Sequence, residues 1–151
     1  MKTTQTAIDA FLAPRRLAIA GVSRDPKKFG FIAFKELREK GFEVLPINPN
    51  AETIDGIKCY PSVASLPEGV ESLLLVTPRN QTAGVIREAL EKKIPHLWIQ
   101  QMAESKEALK LAENTSVNLI YKECILMHTL PVKSIHRFHR AIKGFFGLLP
   151  K

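Results

Sequence analysis

The sequence contains no long apolar run, and this absence limits the kind of protein it encodes. No stretch of its 151 residues approaches the ~20 apolar residues needed to span a bilayer. The segment that follows Met1 lacks the apolar core of a signal peptide. We therefore expect a cytoplasmic protein. The length suits one hydrophobic core, which predicts a single domain over residues 1–151.

Cysteine is also scarce. The two cysteines, Cys59 and Cys124, lie far apart in a chain long enough to fold without disulfides. This usage favours two reduced thiols over a disulfide or a metal site. We expect Cys59 to serve packing only.

Acidic residues are absent after Pro131, and the tail that follows is basic. Its five Lys and Arg residues contribute +5 of the formal net charge of +7. Apolar residues at helical spacing, from Val132 to Phe145, predict an amphipathic helix over about 132–146. Four roles remain open for this helix: docking on the domain, a homodimer contact, an acidic partner, or an anionic membrane surface.

The tail offers no sign of a metal or of nucleic acid as a partner. His136 and His139 can share a helix face, but no carboxylate or third ligand accompanies them, and the neighbouring cations repel a dication. The chain shows neither a base-stacking aromatic platform nor a helix-turn-helix pattern. We expect no metal site and no nucleic-acid partner.

Two common fingerprints are missing. The dinucleotide motif G-x-G-x-x-G fails after Gly21, because Ser23 replaces its second glycine and Pro26 its third. The second predicted strand also lacks the acidic residue that would hold an NAD ribose. The nucleophile elbow G-x-S-x-G fails because Asp25 replaces its last glycine. The sequence thus argues against an NAD enzyme and a serine hydrolase.

What is present is an alternation of short apolar runs with helix-periodic segments. This pattern predicts an α/β Rossmann-like domain of three layers, with a mostly parallel sheet and helices on both faces. Its ligand should lie at the carboxyl ends of the strands. Strands are predicted at 17–20, 44–47, 72–76, 97–99 and 117–120, and a hairpin-like or short-strand segment at 54–60. One helix is predicted to end near Gly41, and two others to span 81–93 and 104–113.

The first predicted strand leads into a turn suited to an anion. Gly21 permits a close backbone approach, and Val22 and Ser23 follow it before the start of a helix. Arg24, Lys27 and Lys28 cluster there, although the helix dipole disfavours cations at its N-terminus by ~0.3–1 kcal/mol each. A bound polyanion would reverse this penalty. The alternative is a solvated, charged loop.

Other predicted strands also end in polar residues or turns. Asn48-Pro49 offers either an amide for a base or ribose, or an ordinary Asx turn. Thr77-Pro78 and Gln100 end the next two parallel strands. Cys124 follows the last strand and should face the same crevice, either as a buried structural thiol or as a reactive one.

These junctions resemble those of stand-alone CoA-binding domain proteins, which are similar to the N-terminal domain of the succinyl-CoA synthetase α subunit. The resemblance covers a core of about 12–126. It rests on four segments, which are Ile19-Ala20-Gly21-Val22-Ser23, Val44-Leu45-Pro46-Ile47-Asn48-Pro49-Asn50, Gly56-Ile57-Lys58-Cys59-Tyr60-Pro61-Ser62 and Leu97-Trp98-Ile99-Gln100.

The resemblance implies that coenzyme A is the ligand. It places the pyrophosphate on the turn at 21–23, the adenosine near Asn48-Pro49, and the pantetheine arm along Thr77-Pro78 towards Gln100. The 3′-phosphate would then pair with Arg24, Lys27 or Lys28.

Two departures bear on the activity that the resemblance implies. Succinyl-CoA synthetase uses a phosphorylated histidine in a second domain, which this sequence does not contain. The acidic-Arg-Cys triplet of the family is shifted to Lys122-Glu123-Cys124. We therefore expect a non-catalytic or accessory protein that binds CoA or acyl-CoA, with no identifiable catalytic residue. The alternatives are a cysteine-dependent enzyme or redox protein acting on the CoA thiol or disulfide, and a partner-binding module that uses the basic C-terminal helix.

Overall fold

The computed structural model describes residues 3–129 of the chain. The predicted C-terminal helix at about 132–146, with its histidines, lies outside the described residues. The helices are α1 (Gln5–Leu12), α2 (Phe29–Glu39), α3 (Arg79–Glu91) and α4 (Lys106–Glu113). The strands are β1 (Arg16–Ala20), β2 (Glu43–Ile47), β3 (Thr53–Ile54), β4 (Ile57–Lys58), β5 (Ser72–Leu75), β6 (His96–Gln100) and β7 (Asn118–Glu123).

Five strands form one parallel sheet in the order β2-β1-β5-β6-β7. The remaining two, β3 and β4, pair as the predicted hairpin. Its turn is Asp55-Gly56, where both residues have positive φ, as a tight hairpin turn requires. The predicted α/β fold with a mostly parallel sheet is confirmed.

The two faces of the sheet bury separate hydrophobic cores, because successive strand residues point to opposite sides. On one face, Leu17 and Ile19 of β1 pack with residues of α1 and α2. On the other face, Ala18 and Ala20 pack with residues of α3 and α4. The domain therefore has the three predicted layers. None of the helices within residues 3–129 is long and apolar enough to cross a membrane.

Pro46 lies in β2, which is the outer strand of the sheet. Its carbonyl accepts a hydrogen bond from Tyr60 N at 2.9 Å on the side away from β1. The nitrogen of Pro46 faces the same side, so the missing N–H costs no ladder bond to β1. A proline is therefore accommodated in this outer strand.

Strand order reverses between β1 and β5, since β2 lies on one side of this pair and β6 and β7 lie on the other. The loops that leave β1 and β5 must then diverge to opposite faces, and they leave a crevice between them. Gly21 directly follows β1, and Val76 and Thr77 follow β5. This point of the sheet is where a ligand is expected.

Candidate functional site

The turn after β1 packs directly against the end of β5, and two glycines make this contact possible. Gly21 has φ +93°, and a Cβ there would lie 3.0 Å from the backbone nitrogen of Thr77. A Cβ on Gly30, in the first turn of α2, would lie 2.6 Å from the carbonyl oxygen of Gly21. A methyl group at either position would therefore separate elements that now touch. The turn, the start of α2 and the end of β5 form one closely packed unit.

The loop from Ser23 to Lys28 is held by its own hydrogen bonds. Ser23 Oγ accepts from Asp25 N at 3.0 Å, and Asp25 Oδ1 accepts from Lys27 N at 2.9 Å. The Asp25 carbonyl also accepts from Lys28 N at 3.1 Å. These bonds fix the loop while the side chains of the three predicted cations, Arg24, Lys27 and Lys28, remain exposed. Asp25, which the sequence reasoning did not consider for the site, is the residue that organises this loop.

Two helices begin at the crevice without a side-chain cap. The N-cap residues of α2 and α3 are Lys28 and Pro78, and neither makes a side-chain capping bond. In contrast, Thr4 caps α1 and Ser105 caps α4. The first N–H groups of a helix have no intrahelical partner, so both uncapped ends present donors and partial positive charge. This arrangement suits an anionic ligand.

Asn48 joins the end of β2 to the turn after β1. Its Nδ2 donates to the carbonyl oxygen of Val22 at 2.8 Å, and its Oδ1 accepts from Asn50 N at 2.7 Å. The Asx turn considered from the sequence is thus present, and it holds Asn48 against the predicted phosphate turn. Pro49 follows directly, at the same edge of the sheet.

Cys59 lies beneath this junction as a buried, unpaired thiol. Its Sγ donates towards the carbonyl oxygens of Asn48 and Tyr60, at 3.7 and 3.8 Å. Burial raises the pKa of the Cys59 thiol above its ordinary value, although these backbone hydrogen bonds oppose the shift. Cys59 is therefore a protonated packing residue at neutral pH.

A cavity of about 470 Å³ lies beside the turn, between the ends of β5, β6 and β7. Its volume falls within the range of small-molecule sites, about 300–1,000 Å³. It brings together four residues expected at the site, which are Thr77, Pro78, Gln100 and Cys124. The remaining lining residues are Phe29, Val76, Arg79, Gln101, Met102, Ala103 and Met127.

The other predicted site residues lie outside the cavity lining, in the adjacent turn and loops. They are Gly21, Val22, Ser23, Arg24, Lys27, Lys28, Asn48 and Pro49. Thr77 connects the two parts, since it lines the cavity and its backbone nitrogen contacts the turn at Gly21. The structure thus divides the predicted residues into two groups that share one boundary: a turn half, where an anion was expected, and a cavity half.

Cys124 reaches the cavity because of an irregularity in β7. The pairing of β6 with β7 shifts register after Trp98, so that Gln100 pairs with Glu123. Lys122 has φ +61° at this point. Such a bulge redirects the side chains that follow it. Cys124 is consequently buried, and the short 3₁₀ turn Ile125–Met127 begins directly after it.

Five hydrophobic lining residues were not assigned to the site from the sequence: Phe29, Val76, Met102, Ala103 and Met127. Phe29 is the first residue of α2, and Met127 lies in the 3₁₀ turn after β7. Met102 is 71% exposed and has φ +78°. Single exposed apolar residues are common on protein surfaces, so the sequence carries no signal that marks Met102 as a lining residue.

No group of three or more His, Cys, Asp or Glu residues within 3–129 is placed to hold a metal ion. The histidine pair considered in the C-terminal tail lies outside the described residues.

Comparisons with known proteins identify related sequences and structures. A family model for the CoA binding domain matches residues 15–129. The α subunit of ADP-forming acetate–CoA ligase II from Pyrococcus furiosus is 31% identical over 134 residues, which cover 81% of this chain and 29% of the subunit. The chain therefore spans less than a third of that curated relative. The uncharacterized protein YneT of Bacillus subtilis is 26% identical over 111 residues, covering 74% of this chain and 82% of YneT.

Solved structures show the same fold. A conserved hypothetical protein from Pyrococcus furiosus superposes with a TM-score of 0.74 and 42% sequence identity. The match covers 76% of this chain and 99% of that protein.

Proposed function

Because the chain belongs to the CoA-binding domain family, we propose that it binds coenzyme A, free or as an acyl thioester, at the carboxyl edge of its sheet. The observation that carries this proposal is the contact between the glycine turn and the cavity. The turn at Gly21, which was expected to bind an anion, directly adjoins a mainly apolar cavity at Thr77. A ligand with a polyphosphate end and a long, weakly polar arm has the matching chemistry.

The phosphates of CoA would lie on the turn at 21–23 and at the uncapped start of α2. Free backbone N–H groups and the helix dipole favour negative charge there. Exposed Arg24, Lys27 and Lys28 supply cations for the 3′-phosphate. Asp25 opposes this attraction with one carboxylate, whose Oδ1 accepts a hydrogen bond from Lys27 N. The local formal charge of the four residues is +2, so the loop still attracts an anion.

The adenosine would lie near Asn48-Pro49 and the pantetheine arm would pass Thr77-Pro78 into the cavity, towards Gln100 and Cys124. Asn48 contributes by positioning, since its amide holds the Val22 carbonyl. Asn48 therefore affects ligand binding indirectly, by fixing the shape of the turn.

Isothermal titration of the full chain with CoA, dephospho-CoA, NAD, NADP and FMN tests the proposal. We expect micromolar or tighter binding of CoA and clearly weaker binding of dephospho-CoA, which lacks the 3′-phosphate. Ser23→Asp should abolish CoA binding, because it adds a negative charge at the pyrophosphate position. Heat from NAD with none from CoA contradicts the proposal, and unchanged affinity in Ser23→Asp contradicts the assigned turn.

An accessory or non-catalytic role accompanies this binding. The chain matches 29% of the length of the Pyrococcus furiosus ligase subunit, so the activity of that enzyme is not transferred to it. A direct test mixes the full chain with acetyl-CoA, ADP and phosphate and measures ATP and acetate. We expect neither product, and formation of both would identify a ligase.

Cys124 supports a second candidate, thiol–disulfide exchange with CoA disulfide, because its side chain lines the cavity. The Cys124 thiolate would attack one sulfur of the disulfide, form a protein–S–S–CoA bond and release the other CoA as a thiol. One disulfide is consumed and one is formed, so no further oxidant is needed. Intact mass after incubation with CoA disulfide tests this step. The adduct should persist in Cys59→Ser and disappear in Cys124→Ser, and its absence from the wild type rules the exchange out.

A further inference from the structure

We propose that the cavity at the ends of β5 to β7 holds the acyl group of a CoA thioester and selects an uncharged, apolar acyl chain. The inference rests on the proposed function and extends it to the class of ligand. It follows from three features of the cavity: its side chains, the hydrogen bonds that its polar groups already make, and the position of Met102.

The side chains around the cavity are mainly apolar. Phe29 and Val76 adjoin the glycine turn, Met127 lies in the 3₁₀ turn after β7, and Ala103 and Met102 lie in the loop after β6. Arg79 is the single charged residue among the described residues of the lining, and it is exposed at the first position of α3. The interior therefore offers apolar surface to a ligand and no buried charge to a ligand carboxylate.

The two hydroxyl groups at the cavity, of Thr77 and Thr82, are engaged with each other and with backbone carbonyls. Thr82 has one hydroxyl proton, and the Ala103 carbonyl oxygen, 2.8 Å from Thr82 Oγ1, accepts it. Thr77 Oγ1 lies 2.8 Å from Thr82 Oγ1, and with the Thr82 proton on the Ala103 or Pro78 carbonyl it is Thr77 that donates to Thr82. Thr77 can then only accept. An acyl carboxylate beside the Thr77 hydroxyl would meet a lone pair, and the donors at this cavity that suit a carboxylate, the Arg79 side chain and the first N–H groups of α3, lie at its exposed end.

Gln100 supplies one polar contact of the kind that a thioester needs. Its Oε1 accepts a hydrogen bond from Ile125 N at 3.1 Å, which fixes the orientation of the amide. The Nε2 donates to no group of the described chain, and Gln100 lines the cavity. One neutral amide donor matches the carbonyl oxygen of a thioester, while a chain beyond that carbonyl meets apolar surface.

Met102 lies at the opening of the cavity, where a chain that extends past the thioester would pass. It is 71% exposed and adopts φ +78°, in a loop held by the bond from Thr82 to Ala103. A methionine side chain is unbranched and adapts to ligands of different shape. Binding of an acyl chain would cover this exposed apolar surface.

A matched pair of ligands tests the charge selection. Butyryl-CoA and succinyl-CoA both carry four acyl carbons, but one chain ends in a methyl group and the other in a carboxylate. Titration of the full chain should give at least ten-fold tighter binding of butyryl-CoA. Equal or tighter binding of succinyl-CoA overturns the proposal and indicates that Arg79 pairs with the carboxylate.

A length series tests the apolar contact. A fully buried methylene group tightens binding by about four-fold, so from acetyl-CoA through butyryl-CoA to hexanoyl-CoA we expect a rise of ten-fold or more. Met102→Gln keeps the side-chain length and removes the apolar surface. This substitution should lower the affinity for hexanoyl-CoA by about five-fold more than the affinity for CoA, and so reduce the ratio of the two affinities. Glu113→Gln, on the exposed side of α4, serves as the control and should leave this ratio unchanged.

The outcomes separate the two proposals. If CoA and all its acyl thioesters bind with the same affinity, the proposed function is retained and the acyl site is overturned. Binding of neither CoA nor any thioester overturns both. If affinity rises with acyl length and Met102→Gln does not reduce this rise, the acyl chain follows another path. This result contradicts the assigned cavity.

Discussion

Asn48 donates a hydrogen bond from Nδ2 to the carbonyl oxygen of Val22 at 2.8 Å, and this bond fixes the end of β2 against the turn after β1. The residues are 26 positions apart in the sequence. The shape of the turn at 21–23 therefore depends on a side chain from the neighbouring strand, in addition to its own glycine.

Replacement of Asn48 by alanine should reduce both stability and ligand affinity. Asn48→Ala removes the donor to Val22 and leaves its carbonyl oxygen unpaired, which costs about 1–3 kcal/mol. Urea unfolding measures the loss, and titration with CoA should show weaker binding. Asn114→Ala is a matched control, because Asn114 Nδ2 also donates to a carbonyl, at the exposed end of α4. It should change stability by less than about 0.5 kcal/mol and leave binding intact.

Thr82 should be required for the shape of the cavity, although it does not line the cavity itself. Thr82→Val keeps the volume of the side chain but breaks the bonds to Thr77 and to the Ala103 carbonyl. We expect a loss of about 1–3 kcal/mol in the free energy of unfolding, since both partners are buried. The loop that carries Met102 should loosen, and acyl-CoA affinity should fall more than CoA affinity.

A control for this variant is Thr115→Val, which removes a hydroxyl that donates to the Ala112 carbonyl at 2.6 Å, after α4. It should lower stability without a change in the affinity ratio. If the ratio of acyl-CoA affinity to CoA affinity is the same in Thr82→Val and the wild type, the buried hydroxyl pair does not shape the ligand site.

Cys59 should make the stability of the protein depend on pH in the alkaline range. Burial raises the pKa of its thiol, so the folded state favours the neutral form. The stabilisation is complete below the unfolded pKa of about 8.5 and is lost as pH rises through the higher folded value. In a Cys124→Ser background, the unfolding free energy should therefore decrease between neutral and alkaline pH by more than it does in the Cys59→Ala, Cys124→Ser variant. Parallel pH curves for the two proteins would contradict this prediction.

Much of the cavity half was predictable because the carboxyl ends of parallel strands meet at one edge of a sheet. This rule brought together Thr77, Gln100 and Cys124, which are distant in sequence. Met102 was not predicted, because its position depends on a loop with φ +78° that no glycine marks in the sequence. Phe29 was missed for another reason: it lies at the end of a charged loop, and the packing of Gly30 on Gly21 brings it to the cavity.

The first helix, α1, was also missed. It has only eight residues, and helices of this length gain little from propensity alone. Its stability comes from Ile8 and Phe11, which are buried against the sheet. Phe11 packs edge-on against Trp98, with ring centroids 5.3 Å apart. Such a contact joins segments far apart in the chain and leaves no local signal in the sequence.

The two helical glycines, Gly30 and Gly84, predict opposite effects of the same substitution. In Gly30→Ala the new Cβ would lie 2.6 Å from the Gly21 carbonyl oxygen, so α2 must move away from the turn. We expect a loss of stability and of CoA binding, because the proposed phosphate site is formed by both elements. In Gly84→Ala nothing lies within 4 Å of the new Cβ, and the gain in helix propensity should stabilise the protein by about 0.5–1 kcal/mol. Thermal unfolding and CoA titration of both variants measure the contrast. Wild-type CoA affinity in a folded Gly30→Ala protein would show that the contact between α2 and the turn does not form the binding site.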